Sequence, residues 1–168
     1  MDLVEKMAKI LEIKDFFVFW PKIQASILHM ATLLKREDLN YTFDPNLMPV
    51  GAAFYHIAGT YDGWFTYQIQ DGEEFPKPVP KEDLTVEIIL DALKKAFERC
   101  NRFLRNVSTN DWDKQVTDYD EENKPIKIPQ WWVLWHLVEH DIHHRTQLKL
   151  QFKHLDKNID RRIYWEEV

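Results

Sequence analysis

The spacing of apolar residues predicts a mostly helical protein. Apolar side chains recur every three or four positions along 21–35, 50–70, 86–106 and 129–154, which is the period of helices that bury one face. A shorter amphipathic helix is predicted over 3–13. Little of the chain shows the strict alternation of half-buried strands. The pattern is therefore typical of an all-α protein.

The connections between the four long helices are themselves long. Residues 37–49 are predicted to form a loop, and three prolines between Pro76 and Pro80 stiffen the next connection. Residues 110–128 alternate weakly, as a loop or a short hairpin does. Long crossovers join helices at opposite corners of a bundle. We therefore expect a four-helix bundle with long crossover connections, forming one domain over 1–168.

Two helix starts carry local signals. Pro21 suits the first turn of its helix, although it could instead kink one longer helix that begins earlier. Thr85 precedes the third helix and is a plausible N-cap, with Glu87 in the first turn where the helix dipole favours an acid. The second helix is predicted to close at Asp71 and Gly72.

The composition fits one soluble domain. The chain has 168 residues, of which 45% are hydrophobic, enough to bury a core without a disulfide or a metal staple. The single cysteine, Cys100, has no partner for an internal bridge, which favours a reducing compartment. It lies on the apolar stripe of the third helix, so a buried and inert thiol is expected rather than a nucleophile.

The charge balance argues against two classes of partner. The chain has 22 basic and 28 acidic residues and a net charge of −6, which repels nucleic acids and anionic membrane surfaces. No uncharged apolar stretch of about 18 residues predicts a membrane span, and no targeting segment stands out. We expect a cytoplasmic protein that acts on a small molecule.

A cluster of histidines carries the candidate chemistry. Four of the seven histidines lie within the nine residues 136–144. Two imidazoles at i and i+4 can reach one cation, and neutral imidazole suits zinc, nickel, cobalt or iron(II). A catalytic site usually adds a third protein ligand and keeps one position open. On a helix, five side chains share an arc of about 100°: His136, His140, His143, His144 and Gln147.

His56 is the best candidate for the third ligand. Glycine inside a helix costs about 0.5–1 kcal/mol relative to alanine, so a need for space beside His56 would explain the glycines near it. The neighbours of His56 on its helical face are small: Ala52, Ala53, Gly59, Thr60 and Gly63.

These residues resemble the DinB-like superfamily, the DNA-damage-inducible-type metalloenzymes. The resemblance is carried by His56 followed eight positions later by Trp64, and by a last helix that reads H-x-x-x-H-x-x-x-H-R-x-Q from His136 to Gln147. It extends from the first long helix to Gln151. Thr146 stands where the family commonly has glycine, which leaves the histidines unchanged but bears on helix packing or the dimer contact.

The resemblance implies a fold, a metal and a class of reaction. It implies a four-helix bundle, often paired as a homodimer, in which His56, His140 and His144 hold one divalent cation. Zinc or nickel is expected first, and iron is an alternative. Characterised members of the family that this chain resembles include thiol-dependent S-transferases and isomerases, so the resemblance implies a low-molecular-weight thiol as cosubstrate.

Other functions stay open at this point. Hydrolysis by a metal-activated water is the alternative within the enzyme class, although the chain shows no well-placed carboxylate base. A non-catalytic protein that binds a metal or a small ligand under stress is the alternative from another class. In a third alternative the bundle is only a dimeric scaffold.

A second zinc motif overlaps the cluster. The stretch from His136 to His140 spells H-x-x-E-H, in which Glu139 would act as a general base. That motif needs a further acidic ligand far downstream, and the best candidates are Glu166 and Glu167 at the C-terminus. A helical wheel places Glu139 about 60° from the histidine stripe, which favours a peripheral or surface role.

The remaining candidates receive supporting roles. His136 and His143 are expected beside the ligands or in a pocket, and Arg145 is expected to anchor an ion pair within the bundle. Gln147 can hydrogen-bond the second nitrogen of a ligand histidine and so select its tautomer. His29 and His154 are expected to be structural or on the surface. Four tryptophans are expected mostly in the core, with one or two lining a pocket: Trp64, Trp131, Trp132 and Trp135.

Overall fold

The computed structural model describes residues 17–69 and 79–159. The predicted helix over 3–13, the close of the second helix at Asp71 and the tail from 160 lie outside these residues. The elements in chain order are α1 Trp20–Thr32, α2 Val50–Thr60, α3 Val86–Asn106, β1 Gln115–Tyr119, β2 Pro125–Pro129 and α4 Gln130–His154. Short 3₁₀ turns cover Arg36–Asp38, Lys81–Asp83 and Thr109–Asp111.

The predicted all-α four-helix bundle is confirmed. Helices α1 and α2 each pack against both α3 and α4, so the four helices enclose one core. None of the helices within the described ranges is both long and apolar enough to cross a membrane. The largest side chains that are fully buried in the core are aromatic: Trp20, Tyr61, Phe54, Phe65 and Phe152.

Helix α3 follows its sequence signals closely. The Thr85 side chain accepts a hydrogen bond of 3.3 Å from the Ile88 backbone N–H, so the predicted N-cap is present. The apolar stripe from Ile89 to Leu104 faces the core, and the Cys100 thiol is fully buried on it. Burial raises the pKa of Cys100 well above its usual range. The thiol is therefore protonated and inert, as expected.

Helix α1 ends earlier than the apolar pattern predicts. Pro21 does occupy its first turn, but the helix stops at Thr32 instead of Lys35. The Asp38 carboxylate accepts from the Lys35 backbone N–H at 2.7 Å, which holds this residue in an extended conformation. Lys157 donates to the Leu33 carbonyl at 2.9 Å and pairs with Asp38 at 2.8 Å. A residue 124 positions away thus helps to end α1.

The predicted second helix has two parts. Helix α2 ends at Thr60 and continues directly as a π-helical segment, Tyr61–Ile69. A π-helical turn is wider than an α-helical one and often occurs at functional sites. Gly51 near the start of α2 lies against the preceding loop, since a Cβ there would be 3.0 Å from the Leu39 carbonyl oxygen.

The hairpin between α3 and α4 is present. Strands β1 and β2 pair antiparallel, with Val116 opposite Ile128. The Asp120 side chain accepts from two backbone N–H groups of the connecting turn, and Asn123 takes a left-handed conformation with φ of 60°. The Gln130 backbone N–H donates to the Lys114 carbonyl at 2.7 Å, so the hairpin fixes the position at which α4 begins.

Candidate metal centre

Helices α2 and α4 run antiparallel. A row of side chains on α2, spaced four residues apart, contacts a row on α4 with the same spacing. His56 packs on His144, with ring centroids 4.9 Å apart. One turn further along α2, Thr60 Oγ1 lies 3.2 Å from His140 Nε2. Residues four apart share one helical face, so the two rows align turn by turn.

Three imidazoles converge where these rows meet. The Nε2 atoms of His56 and His140 are 3.0 Å apart, and the ring centroids of His140 and His144 are 4.3 Å apart. One ring nitrogen from each of the three histidines lies within 4.8 Å of the other two. Two nitrogens at about 2.0–2.1 Å from a tetrahedral zinc ion would be separated by about 3.3 Å. The three side chains therefore fit one divalent cation.

Burial is graded across the three histidines. His144 is buried with 6% exposure, His140 is half-buried, and His56 is exposed. A ligand would therefore reach the centre from the side of His56. Burial lowers the pKa of all three imidazoles, to about 3 for His140 and about 4 for His144, and the neighbouring histidines lower the pKa of these two further. Neutral imidazoles are the form that binds a metal.

Gln147 orients His144. The Gln147 Oε1 atom lies 2.9 Å from Nδ1 of His144, and an amide oxygen can only accept, so His144 Nδ1–H donates. This bond leaves Nε2 of His144 for a cation. The Gln147 amide nitrogen lies 3.0 Å from Nε2 of His143 and donates to it. His143 is exposed, so it supports Gln147 from the solvent side.

Thr60 links the two ligand-bearing helices. Its hydroxyl donates to the His56 carbonyl at 2.9 Å, so its oxygen is free to accept from Nε2–H of His140 in the metal-free protein. Nδ1 of His140 is buried and has no hydrogen-bond partner among the described residues. The other ring nitrogen of His140, Nε2, lies 3.0 Å from Nε2 of His56, so Nε2 rather than Nδ1 is the atom that would bind the cation.

The small residues near His56 do two different things. A Cβ added at Gly59 would meet nothing within 4 Å, so no contact among the described residues requires glycine at this position. Ala53 instead belongs to the core with 2% exposure, and its small size serves helix packing.

A buried polar network lies directly beneath the histidines. The Asp141 Oδ2 atom accepts from Trp20 Nε1 at 2.8 Å and from the Tyr61 hydroxyl at 2.6 Å. Gln24 donates to the Tyr61 oxygen at 2.9 Å and accepts from Asn101 at 2.9 Å. The network thus joins all four helices.

Asp141 was not among the candidates from sequence, although a signal was available. It lies four residues after Leu137 and seven before Leu148, both fully buried, so it occupies the buried face of α4. Burial raises its pKa to about 7, while the hydrogen bonds from Tyr61 and Trp20 and the charge of Arg145 oppose the rise. The positive charge of Arg145 therefore favours the ionised form of the Asp141 carboxylate inside the bundle.

The remaining candidates lie around the centre. His136 is one turn before His140, with ring centroids 6.2 Å apart. Glu139 is exposed, and the cluster of potential ligand atoms within the described chain contains no carboxylate. His154 stacks on Phe43 and lies apart from the site.

The expectation that the tryptophans lie mostly in the core is wrong for two of them. Trp132 is 39% exposed and Trp135 is 50% exposed. Trp64 and Trp131 are partly buried. Helix α4 carries apolar residues around most of its circumference, so periodicity alone did not separate its core face from its outer face.

Comparisons with known proteins agree with the fold. A family model described as the DinB superfamily matches residues 22–148. A DinB-like protein from Bacillus cereus ATCC 10987 superimposes with a TM-score of 0.65 at 19% identity, covering 86% of this chain and 93% of that one. A DinB-like protein from Bacillus subtilis superimposes with a TM-score of 0.63 at 13% identity, covering 87% and 92%. None of the curated proteins matches. With the family model spanning all of α2 and α3 and most of α1 and α4, this chain belongs to the DinB superfamily.

Proposed function

We propose that this protein is a metal-dependent enzyme in which His56, His140 and His144 hold one divalent cation. The observation that carries the proposal is the convergence of three neutral imidazoles within 4.8 Å, with His56 on the solvent side. Three histidines with a fourth position open to a ligand are typical of catalytic zinc sites. Zinc or nickel is the favoured metal, and iron is the alternative.

Thiol-dependent S-transfer to a small molecule is the reaction we favour. A bound cation would supply Lewis acidity and lower the pKa of a thiol or a water that it binds. Among the described residues no carboxylate shares the ligand cluster. A thiol that becomes a thiolate on binding needs no general base from the protein, whereas hydrolysis is usually assisted by one. The resemblance to thiol-using family members supports the same choice.

The chain's own residues would prepare the site. His144 is locked by Gln147 with Nε2 available, and His140 is held against Thr60. His56 lies on the exposed side, so substrate would approach past its ring. The network on Asp141 fixes α4 against α1 and α2 and so maintains the spacing of the histidines.

We also propose a cytoplasmic homodimer. The buried thiol of Cys100 suits a reducing compartment. Ile142 and Leu150 are 42% and 51% exposed on the outer side of α4, and a second copy could cover them. The resemblance to dimeric family members supports this arrangement.

Metal content tests the proposed centre. Untagged wild-type protein and the variants His56→Ala, His140→Ala and His29→Ala would be measured by plasma mass spectrometry, with circular dichroism as the test of folding. We expect near-stoichiometric metal in the wild type and in His29→Ala, and its loss in the other two. If His56→Ala keeps its metal while His140→Ala loses it, His136 rather than His56 would be the third ligand. A protein that takes up no metal, even after loading, would contradict the proposal.

Product formation separates the reaction classes. The loaded enzyme would be incubated with 1-chloro-2,4-dinitrobenzene and cysteine, glutathione or coenzyme A, and separately with 4-nitrophenyl acetate without a thiol. Chloride release that requires both the thiol and His140 supports S-transfer. Thiol-independent release of nitrophenol that requires His140 would support the hydrolase alternative. Full metal occupancy with neither activity would favour the non-catalytic alternative.

A further inference from the structure

Three aromatic rings form a cluster beside the histidines. Trp132 and His136 are stacked with an angle of 2° between the rings and a centroid distance of 5.3 Å. Trp64 is tilted against both, at 5.7 Å from Trp132 and 5.0 Å from His136. We call Trp64, Trp132 and His136 the aromatic cluster. Its members come from two helices, so it exists only in the folded protein.

The aromatic cluster continues the row of histidines on α4. Trp132, His136, His140 and His144 follow one another at intervals of four residues, and the His136 and His140 rings are 6.2 Å apart. On the opposite side, Trp64 follows His56 and Thr60 at the same interval. The cation position and the aromatic cluster therefore lie within reach of a single small molecule.

The aromatic cluster is accessible. Trp132 is 39% exposed, and Trp64 and His136 are only partly buried. Trp64 is carried by the π-helical segment, and such segments often occur at functional sites. The exposed part of an indole does not gain the free energy of burying apolar surface. A bound apolar group that covers this indole would supply that free energy.

The chemistry of the surroundings limits the kinds of group that the aromatic cluster can bind. Aromatic rings attract flat aromatic groups in offset or edge-to-face arrangements with centroids about 4.5–7 Å apart. The same rings also attract cations, but a divalent ion one helical turn away would repel a cationic group. An uncharged planar ring is the group that suits both neighbours.

We propose that the aromatic cluster is a substrate subsite that binds a planar aromatic group, connected by a short linker to the atom that the cation holds. The inference rests on the proposed function, since the cation anchors one end of the ligand. The substrate is then a small aromatic compound with a metal-binding head group. Trp132 and Trp64 then determine specificity without contacting the cation.

Two matched probes test the subsite. Phenylacetohydroxamate and cyclohexylacetohydroxamate have the same chelating head group and differ in a flat against a puckered ring. Their affinities for the cobalt-loaded protein would be measured through the visible absorption of the ion. We expect the phenyl probe to bind about two- to tenfold more tightly in the wild type. This preference should disappear in Trp132→Leu and Trp64→Leu and persist in Trp132→Phe.

Trp135→Leu is the matched control, because Trp135 is on the same helix and even more exposed, yet is not one of the three rings. Its preference for the phenyl probe should equal that of the wild type. Equal affinities of the two probes in fully loaded wild type would overturn the inference while leaving the metal centre intact. A preference that survives in both leucine variants, or that Trp135→Leu also loses, would overturn it as well. Protein that binds no cobalt would contradict the proposed function itself.

Discussion

Tyr61 and Asp141 are joined by a buried hydrogen bond of 2.6 Å, which ties the end of α2 to the middle of α4. Asp141 immediately follows His140, and Tyr61 immediately follows Thr60, which contacts His140. The bond therefore lies one residue from the contact between the two rows of the candidate centre. It sets the register of the helices at the level where the imidazoles must converge.

Tyr61→Phe should destabilise the protein. The change removes the Tyr61 hydroxyl, which together with Trp20 Nε1 donates to Oδ2 of the fully buried Asp141, and such a loss costs about 1.5–3 kcal/mol. The free energy of unfolding would be measured in urea. Tyr119→Phe, at a tyrosine that is 54% exposed, should change it by less than about 0.5 kcal/mol. Equal effects of the two variants would contradict a structural role for the bond.

Gln147→Leu should weaken metal binding more than folding. The variant keeps the side-chain volume but removes the acceptor that holds His144 Nδ1–H. Loss of such a partner typically lowers metal affinity about 10–100-fold. Competition with a chromophoric chelator would measure it. Gln115→Leu, at an exposed position on β1, is the control and should leave the affinity unchanged; a Gln147→Leu affinity equal to wild type would contradict the orienting role.

The metal-free protein should lose stability as the pH falls below 6.5. Unfolded imidazoles take up protons near pH 6.5, whereas burial lowers the pKa of His140 to about 3 and that of His144 to about 4 in the fold. The unfolded chain then binds more protons, so the stabilisation is complete above pH 6.5 and is lost toward pH 4. Urea unfolding with a chelator present would follow this loss.

Protonation of Asp141 has the opposite effect on the stability of the fold over the same pH range. Its pKa is raised to about 7 in the fold from an ordinary 3.8, so the fold binds more protons between these values and this contribution falls as the pH rises. Asp141→Asn should therefore steepen the acid-side loss of stability, and the double variant His140→Leu, His144→Leu should flatten it. An unchanged slope in the double variant would contradict the assignment.

Two glycines of α2 should respond oppositely to alanine. Gly59→Ala should raise the free energy of unfolding by about 0.5–1 kcal/mol, because a Cβ meets nothing within 4 Å. Gly51→Ala should lower it by about 1–3 kcal/mol, since its Cβ would lie 3.0 Å from the Leu39 carbonyl oxygen. Urea unfolding of both variants checks the contrast, and a stabilised Gly51→Ala would contradict it.

Charges on the outer side of α4 should dissociate the proposed homodimer. Ile142→Glu and Leu150→Glu each place a carboxylate at an exposed apolar position of that helix. Sedimentation equilibrium should give a dimer mass for the wild type and a monomer mass for both variants. Val18→Glu, at a valine that is 51% exposed before α1, should stay dimeric. A monomeric wild type would contradict the proposal.

Features that depend on neighbouring residues were predictable from the sequence. The bounds of α3 follow from the Thr85 cap and an unbroken apolar stripe, and both are local properties of a helix. The row from His136 to His144 lies on one side of α4 because 3.6 residues per turn place i and i+4 together. The end of α1 was not predictable, since Lys157 acts on it across 124 residues.

The sequence by itself determined the helices, the family and which histidines share a face, because each of these depends on periodicity or on a short motif. The packing of α2 against α4 alone decided that His56 meets His140 at 3.0 Å and that Trp64 lies over His136. The packing of α1 against α4 decided that Asp141 is buried under Trp20, which is 121 residues away. Contacts of this kind depend on the angle and register at which two helices cross, and those are set by the whole core rather than by either helix.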